Sequence, residues 1–226
     1  MLGSLWIAGG VVATSLALAI MIGGIQGQLI QSVLPYIMAG LLCFSLSSYV
    51  LNEAPEVYMS AASIIKNHAH PYSYYSFESL SRTFFIFFHN LVAFYLMLAL
   101  VGSLAIPHWS ILIAIPVVYA NSFLWGSLAA MLGARFRDMR FLLPFVGQML
   151  FFLTPVFWIP TNMGGWRTAL LHFNPFYGLL EIVRSPLLGE APPAVAWNLS
   201  LISLSLGLVF WLIFFGAFRR KIAFWV

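Results

Sequence analysis

The formal charges of this chain fall in five groups, and the stretches between them are long, apolar and free of Asp, Glu, Lys and Arg. The groups run from Glu53 to Arg82, from Arg135 to Arg140, through a lone Arg167, from Glu181 to Glu190, and from Arg219 to Lys221. A helix needs about twenty apolar residues to cross a bilayer, and the intervals are long enough to supply them. Continuous apolar runs also select helices over a barrel, whose strands would alternate in segments of about ten residues. With 62% hydrophobic and 7% charged residues, against about 25% charged in soluble domains, no soluble fold of this size would cover its surface with polar groups. The chain reads as an all-α polytopic membrane protein with a single transmembrane domain over 1–226.

Six spans are expected, at 2–22, 32–51, 83–106, 109–132, 141–159 and 196–218. Six spans place both termini on one side. That side also holds Lys66, Arg82, Arg135, Arg137, Arg140, Arg219, Arg220 and Lys221, while the other holds only Arg167 and Arg184. Cationic loops face the cytoplasm, so both termini are expected inside. The net charge of +4 follows from this topology, and no nucleic-acid partner is expected. Glu53 is the first charged residue, so a cleavable signal with a basic leading region is not expected.

Two connections exceed a turn. Segment 52–82 contains Pro55 to Lys66, which suits a short helix across the membrane face, and then Tyr72, Tyr74, Tyr75 and Phe77, which suit the headgroup layer. Segment 160–195 contains Asn174-Pro175, an N-cap followed by proline at the first helical position. Leu179, Leu180, Val183 and Leu187 follow at roughly helical spacing, with Glu181 and Arg184 three apart. Short external re-entrant or gate helices are therefore expected between spans five and six.

Catalytic and cofactor chemistry is not indicated. There is no GxxxxGK[ST] loop for ATP. His68 and His70 stand without a further ligand pattern, and Asp138, the one aspartate, sits among three arginines. Cys43 has no partner for an intrachain disulfide and no activating neighbour. Polar residues inside the spans are His89, Asn90, Asn121 and Gln148. They pair with other helices or line a wet path. Aromatic residues make up 17% of the chain. Among them Trp6, Phe44, Tyr49, Phe141, Phe145 and Phe152 pack, meet lipid, or, with His89, Asn90 and Gln148, line a channel whose ring faces suit sugar surfaces.

Several stretches share their wording with a known family. The run ARFRDMRFLLPFVGQMLFFLTPVFWIP at 134–160 resembles that of ABC-2 type transporter permeases: an Arg-Asp pair, an apolar helix and a Thr-Pro-Val turn. NPFYGLLEIVRSPLLG at 174–189 is similar to the family's external segment. LGSLW at 2–6 resembles the start of its first span, and IIK at 64–66 followed by Pro71 resembles its cytoplasmic coupling segment. FFHN at 87–90 is similar to the third span of the polysaccharide branch, the O-antigen and lipopolysaccharide exporters. The basic amphipathic helix that usually precedes span one in this family has no counterpart ahead of LGSLW.

The resemblance implies a permease subunit in the bacterial inner membrane that exports an undecaprenyl-diphosphate-linked polysaccharide. It would work as a homodimer with two separate ATP-binding cassette subunits, which hold the ATP and Mg; none is expected in this chain. Glu53, Glu56, Ile64, Ile65 and Lys66 would couple to the ATPase. Arg135, Arg137 and Arg140 would meet the substrate's diphosphate at the entrance. Trp158, Trp166, Pro175, Phe176, Glu181 and Arg184 would belong to the external gate. The alternatives are a permease for another amphiphile (a teichoic acid, a capsule glycan or a drug) and a membrane-embedded lipid-modifying enzyme. Against the last stands the lack of clustered carboxylates or histidines at a membrane interface.

Overall fold

The computed structural model describes residues 3–68, 70–160, 171 and 173–226. Residues 161–170, which include Arg167 and the expected gate residue Trp166, and His172 lie outside the described residues. All regular structure among the described residues is helical. The long helices are α1 (Gly3–Gln26), α2 (Ile30–Asn52), α5 (Tyr72–Val101) and α6 (Ile111–Arg135). Two short helices, α3 (Val57–Ser60) and α4 (Ala62–Asn67), join α2 to α5. Then come α7 (Met139–Leu153), α8 (Pro175–Leu187) and α9 (Ala194–Phe210). α9 runs on through a π turn at Trp211–Phe215 into α10 (Gly216–Phe218) and α11 (Ile222–Trp225). Five of these segments are long and apolar enough to cross a membrane, which suggests a multi-pass membrane protein.

Helix α2 forms the axis of the bundle. Its residues from Val33 to Tyr49 are largely buried, against α1, α5, α6, α7 and α8. One end of the bundle gathers the start of α2, the end of α5 and the start of α6: Ser103 Oγ donates to the Gln31 carbonyl at 3.2 Å. The other end gathers Glu53, Arg135 and the C-terminal residues, and is called here the basic end. Between the two ends a polar seam ties α6 to α9. Asn121 Nδ2 donates to the Ser200 carbonyl at 3.2 Å and Ser203 Oγ donates to Asn121 Oδ1 at 3.2 Å. One turn on, Trp125 Nε1 donates to the Ser203 carbonyl at 3.1 Å. Asn121 is thus a helix-to-helix pairing residue, as buried amides in apolar bundles tend to be.

Three of the expected spans, the third, fifth and sixth, differ most from the helices observed. The third long helix begins at Tyr72, not near Thr83, so the aromatic run forms its first turns and Arg82 lies within it. No Gly or Pro interrupts 72–82, and a charge marks where a helix leaves lipid rather than where it ends. This helix stops at Val101 because Gly102 takes a left-handed conformation (φ 76°) that lets Ser103 N bond back to the Leu98 carbonyl at 3.0 Å. The expected fifth span, 141–159, is helical only to Leu153. Pro155 disfavours helical geometry at Thr154, which is extended (φ −92°, ψ 138°). The 15 residues of α7 span about 22 Å, short of the ~30 Å hydrocarbon layer. The sixth span continues beyond Phe218, because the basic triplet Arg219–Lys221 is a 3₁₀ turn leading into α11.

Candidate functional site

The segment read as a gate is held by a buried polar clasp. Asn174 caps α8, its Oδ1 accepting from Phe176 N at 3.0 Å, as the Asn-Pro pair predicts. The same amide donates through Nδ2 to Thr154 Oγ1 at 2.9 Å, so the cap also grips the extended residue after α7. One face later, Arg184 and Glu181 form an ion pair through Arg184 Nη2 and Glu181 Oε1. Arg184 Nε and Ser185 Oγ donate to the second carboxylate oxygen at 3.3 and 3.1 Å. Arg184 is 1% exposed. Its Nη1 donates to the Pro155 carbonyl, and its guanidinium lies 4.1 Å from the centroid of the Tyr36 ring. The Tyr36 hydroxyl donates in turn to the Trp158 carbonyl at 3.2 Å. Burial, followed by the Glu181 carboxylate, raises the pKa of the Tyr177 hydroxyl nearby and so makes it a weaker acid.

Three separate pieces of chain meet at this clasp: α2 through Tyr36, the 154–158 turn, and α8. Their approach is close enough that a β-carbon on Gly40 would collide with the Val156 carbonyl oxygen, far inside van der Waals contact. The far end of α8 is also pinned, with Tyr95 OH donating to the Leu187 carbonyl at 3.3 Å and His108 N donating to the Pro186 carbonyl at 2.9 Å. Of the expected gate residues, Glu181 and Arg184 are core, Phe176 and Trp158 are half-buried, and Pro175 is exposed. Tyr36, Thr154 and Pro155 complete the clasp and carry no signal of that role in the sequence. They are remote from α8 along the chain, and the Thr-Pro pair marks only a turn, not what it will pack against.

At the basic end, the stretch from Pro55 to Lys66 is not one helix but three short pieces, a 3₁₀ turn at Ala54–Glu56 followed by α3 and α4, broken at Ala61 (φ −90°, ψ 7°). The segment is fixed from beneath. Pro55 is buried against α6, where a β-carbon on Gly133 would collide with the Pro55 carbonyl. Tyr58 is buried, its hydroxyl 3.1 Å from Ser76 Oγ, and burial pushes that hydroxyl's pKa up. Among the expected coupling residues, Glu56, Ile64 and Lys66 are exposed. Ile65 is half-buried against the Tyr58 and Ile222 cluster, and Glu53, though exposed, accepts from Thr83 Oγ1 at 3.0 Å.

The expected entrance residues lie beside this segment. Arg135 and Arg137 are exposed, and Arg140 is half-buried with its guanidinium 4.8 Å from the Phe141 ring centroid. None of them forms an ion pair among the described residues. The expected channel-lining residues divide into two sets. Phe44, Tyr49 and Asn90 are enclosed within the chain, with Phe44 edge-on to Phe151 at 5.2 Å and Tyr49 OH donating to the Ser76 carbonyl at 3.3 Å. Trp6, Phe141, Phe145, Gln148 and Phe152 are exposed on the outside of the bundle, the last four along one face of α7. His89 stands between, half-buried with Nε2 unbonded by protein. No group of three or more His, Cys, Asp or Glu residues suited to a metal ion occurs among the described residues.

No protein-family model matches the chain. No curated protein matches it at a significant level.

Proposed function

We propose that this chain is the permease subunit of an ABC-2 type exporter for a lipid-linked polysaccharide, lying in the inner membrane of a bacterium with both termini cytoplasmic. Two copies would form the path and two separate ATP-binding subunits would drive it. The observation that carries this reading is the short-helix segment Ala54–Asn67 at the basic end. It is anchored on its inner side by Pro55, Tyr58 and Ile65, and presents Ile64 and Lys66 outward. A rigid platform with an exposed apolar residue beside a cation is what a peripheral subunit needs to transmit a push to α2 and α5, which the platform joins. The missing phosphate loop is consistent with energy from another polypeptide.

Within this reading the basic end faces the cytoplasm, and Arg135, Arg137 and Arg140 receive the diphosphate, to which guanidinium groups bond bidentately. The outward face of α7, with Phe141, Phe145, Gln148 and Phe152, lines the route between two copies. Gln148 on an otherwise apolar exposed face supports a wet or protein surface there, since an amide facing lipid is costly. The clasped α8 closes the opposite end.

The test is co-purification. The full chain co-expressed with the ATP-binding cassette subunits of its own organism should carry one of them through purification. Ile64→Asp and Lys66→Glu should release it while the permease still inserts. A chain that inserts normally yet binds no ATP-binding subunit in either form removes the reading.

A further inference from the structure

The basic end contains a second feature, which shares Arg135 with the transport reading but is otherwise unused by it. A groove of about 590 Å³ opens on the side of the bundle between α6, the start of α7 and the α9–α11 segment. Leu132, Leu143, Phe214, Phe218 and Trp225 line it, and Arg135 is its one charged wall residue. The lip is built from two aromatic rings, Phe218 and Trp225, with centroids 6.3 Å apart. Each carries a cation. The Arg135 guanidinium lies 5.7 Å from the Trp225 ring and Lys221 Nζ lies 5.3 Å from the Phe218 ring. Arg135 and Lys221 are both exposed, and neither pairs with a carboxylate among the described residues.

We infer that this groove is a binding site for a resident anionic phospholipid, with one acyl chain laid along Leu132 and Phe214 and the phosphate held between Arg135 and Lys221. Three observations lead to this occupant. The groove is almost wholly apolar, which fits a hydrocarbon chain. Its one charged wall residue, Arg135, is a cation, and a second cation, Lys221, lies on the other ring of the same lip, as a molecule with an anionic head and an apolar tail requires. Those cations rest on rings that hold them at the lip, so the pair is positioned before the phosphate arrives. Basic pockets between helices at a membrane surface take anionic headgroups for the same reasons. The lip also explains why the chain turns at Arg219–Lys221: the turn returns Ile222 to a buried place beside Tyr58 and sets Trp225 under Arg135. A lipid seated there would fasten the C-terminal segment to α6, next to the platform.

The inference does not rest on transport, and would stand if no ATP-binding partner existed. It is tested by native mass spectrometry of the full chain released from vesicles of phosphatidylcholine with or without phosphatidylglycerol. One phosphatidylglycerol per chain should be retained in preference to phosphatidylcholine by at least about fivefold, the effect of one cation beside an anionic surface. Arg135→Ala combined with Lys221→Ala should abolish the preference, and Arg135→Lys should keep most of it. Leu132→Trp, which fills the groove from an exposed position, should lower retention of both lipids. Equal retention of the two headgroups would overturn the inference, as would an unchanged preference in the double alanine variant. A lipid-free chain whose groove is covered by a second copy would overturn it too. So would displacement of phosphatidylglycerol by an isoprenyl diphosphate, which would assign the groove to the substrate's route instead.

Discussion

The Arg184 guanidinium stacks on the ring of Tyr36, 4.1 Å from its centroid, while pairing with Glu181 on its own helix. A cation shared between a carboxylate, a carbonyl and an aromatic face is well satisfied even where water is absent. The clasp therefore joins α2, the 154–158 turn and α8 into one unit, and its removal should be felt as loss of structure.

Arg184→Met should destabilise the protein by about 3–5 kcal/mol, because the Glu181 carboxylate is then buried without its partner. Glu181→Met/Arg184→Met should cost less than Arg184→Met alone, since no charge is left unpaired. Denaturation midpoints in one detergent measure both, and a double variant that is the worse of the two would refute the clasp as described.

Gly40→Ala should fail to accumulate or should unfold early, because its β-carbon has no room beside the Val156 carbonyl, which is backbone and cannot turn aside. Gly9→Ala provides the control, with open space around the added carbon. Matching expression and midpoints for the two variants would contradict the close approach of α2 to the 154–158 turn.

Asn121→Ala removes two of the three bonds of the seam between α6 and α9. Interhelical hydrogen bonds in membranes contribute roughly 0.6–2 kcal/mol each, so the stability loss should lie near the top of that range. Ser203→Ala should lose less, because it removes only the bond to Asn121 Oδ1 and leaves Asn121 Nδ2 donating to the Ser200 carbonyl. The order of the two variants in a detergent unfolding series is the measurement.

Phe145→Ala and Phe152→Ala should leave stability nearly unchanged, since both rings are on the outside of the chain at 61% and 59% exposure. If the outward face of α7 lines the glycan's route, export should nonetheless fall well below the level set by protein abundance. Full export in both variants would remove the aromatic face from the route.

The diphosphate reading makes a separate demand. Arg135→Ala, Arg137→Ala and Arg140→Ala should each keep the chain inserted in the same orientation, because enough basic residues remain on that side. Their effect should appear in export as a raised substrate requirement. A complete series with wild-type export would leave the arginines with a topological task only.

The amino-acid sequence by itself determined the all-helical class, the long apolar segments and the Asn174 cap. These follow from local quantities: the length of a charge-free run, and an Asn before a Pro. Charge position misled the reading of helix ends. α5 starts at Tyr72, well before its last charge, and α9 continues through Arg219–Lys221, because a helix needs no lipid to persist. Only the tertiary structure decided what surrounds each side chain. Phe44 and Phe145 are alike in the sequence, both aromatic within apolar runs, yet one is buried against Phe151 and the other faces outward. The Glu181–Arg184 spacing was visible, but its partners Tyr36 and Pro155 were not. Which helix packs against which depends on the order of the bundle, set by many weak contacts between distant segments, and no local pattern encodes that order.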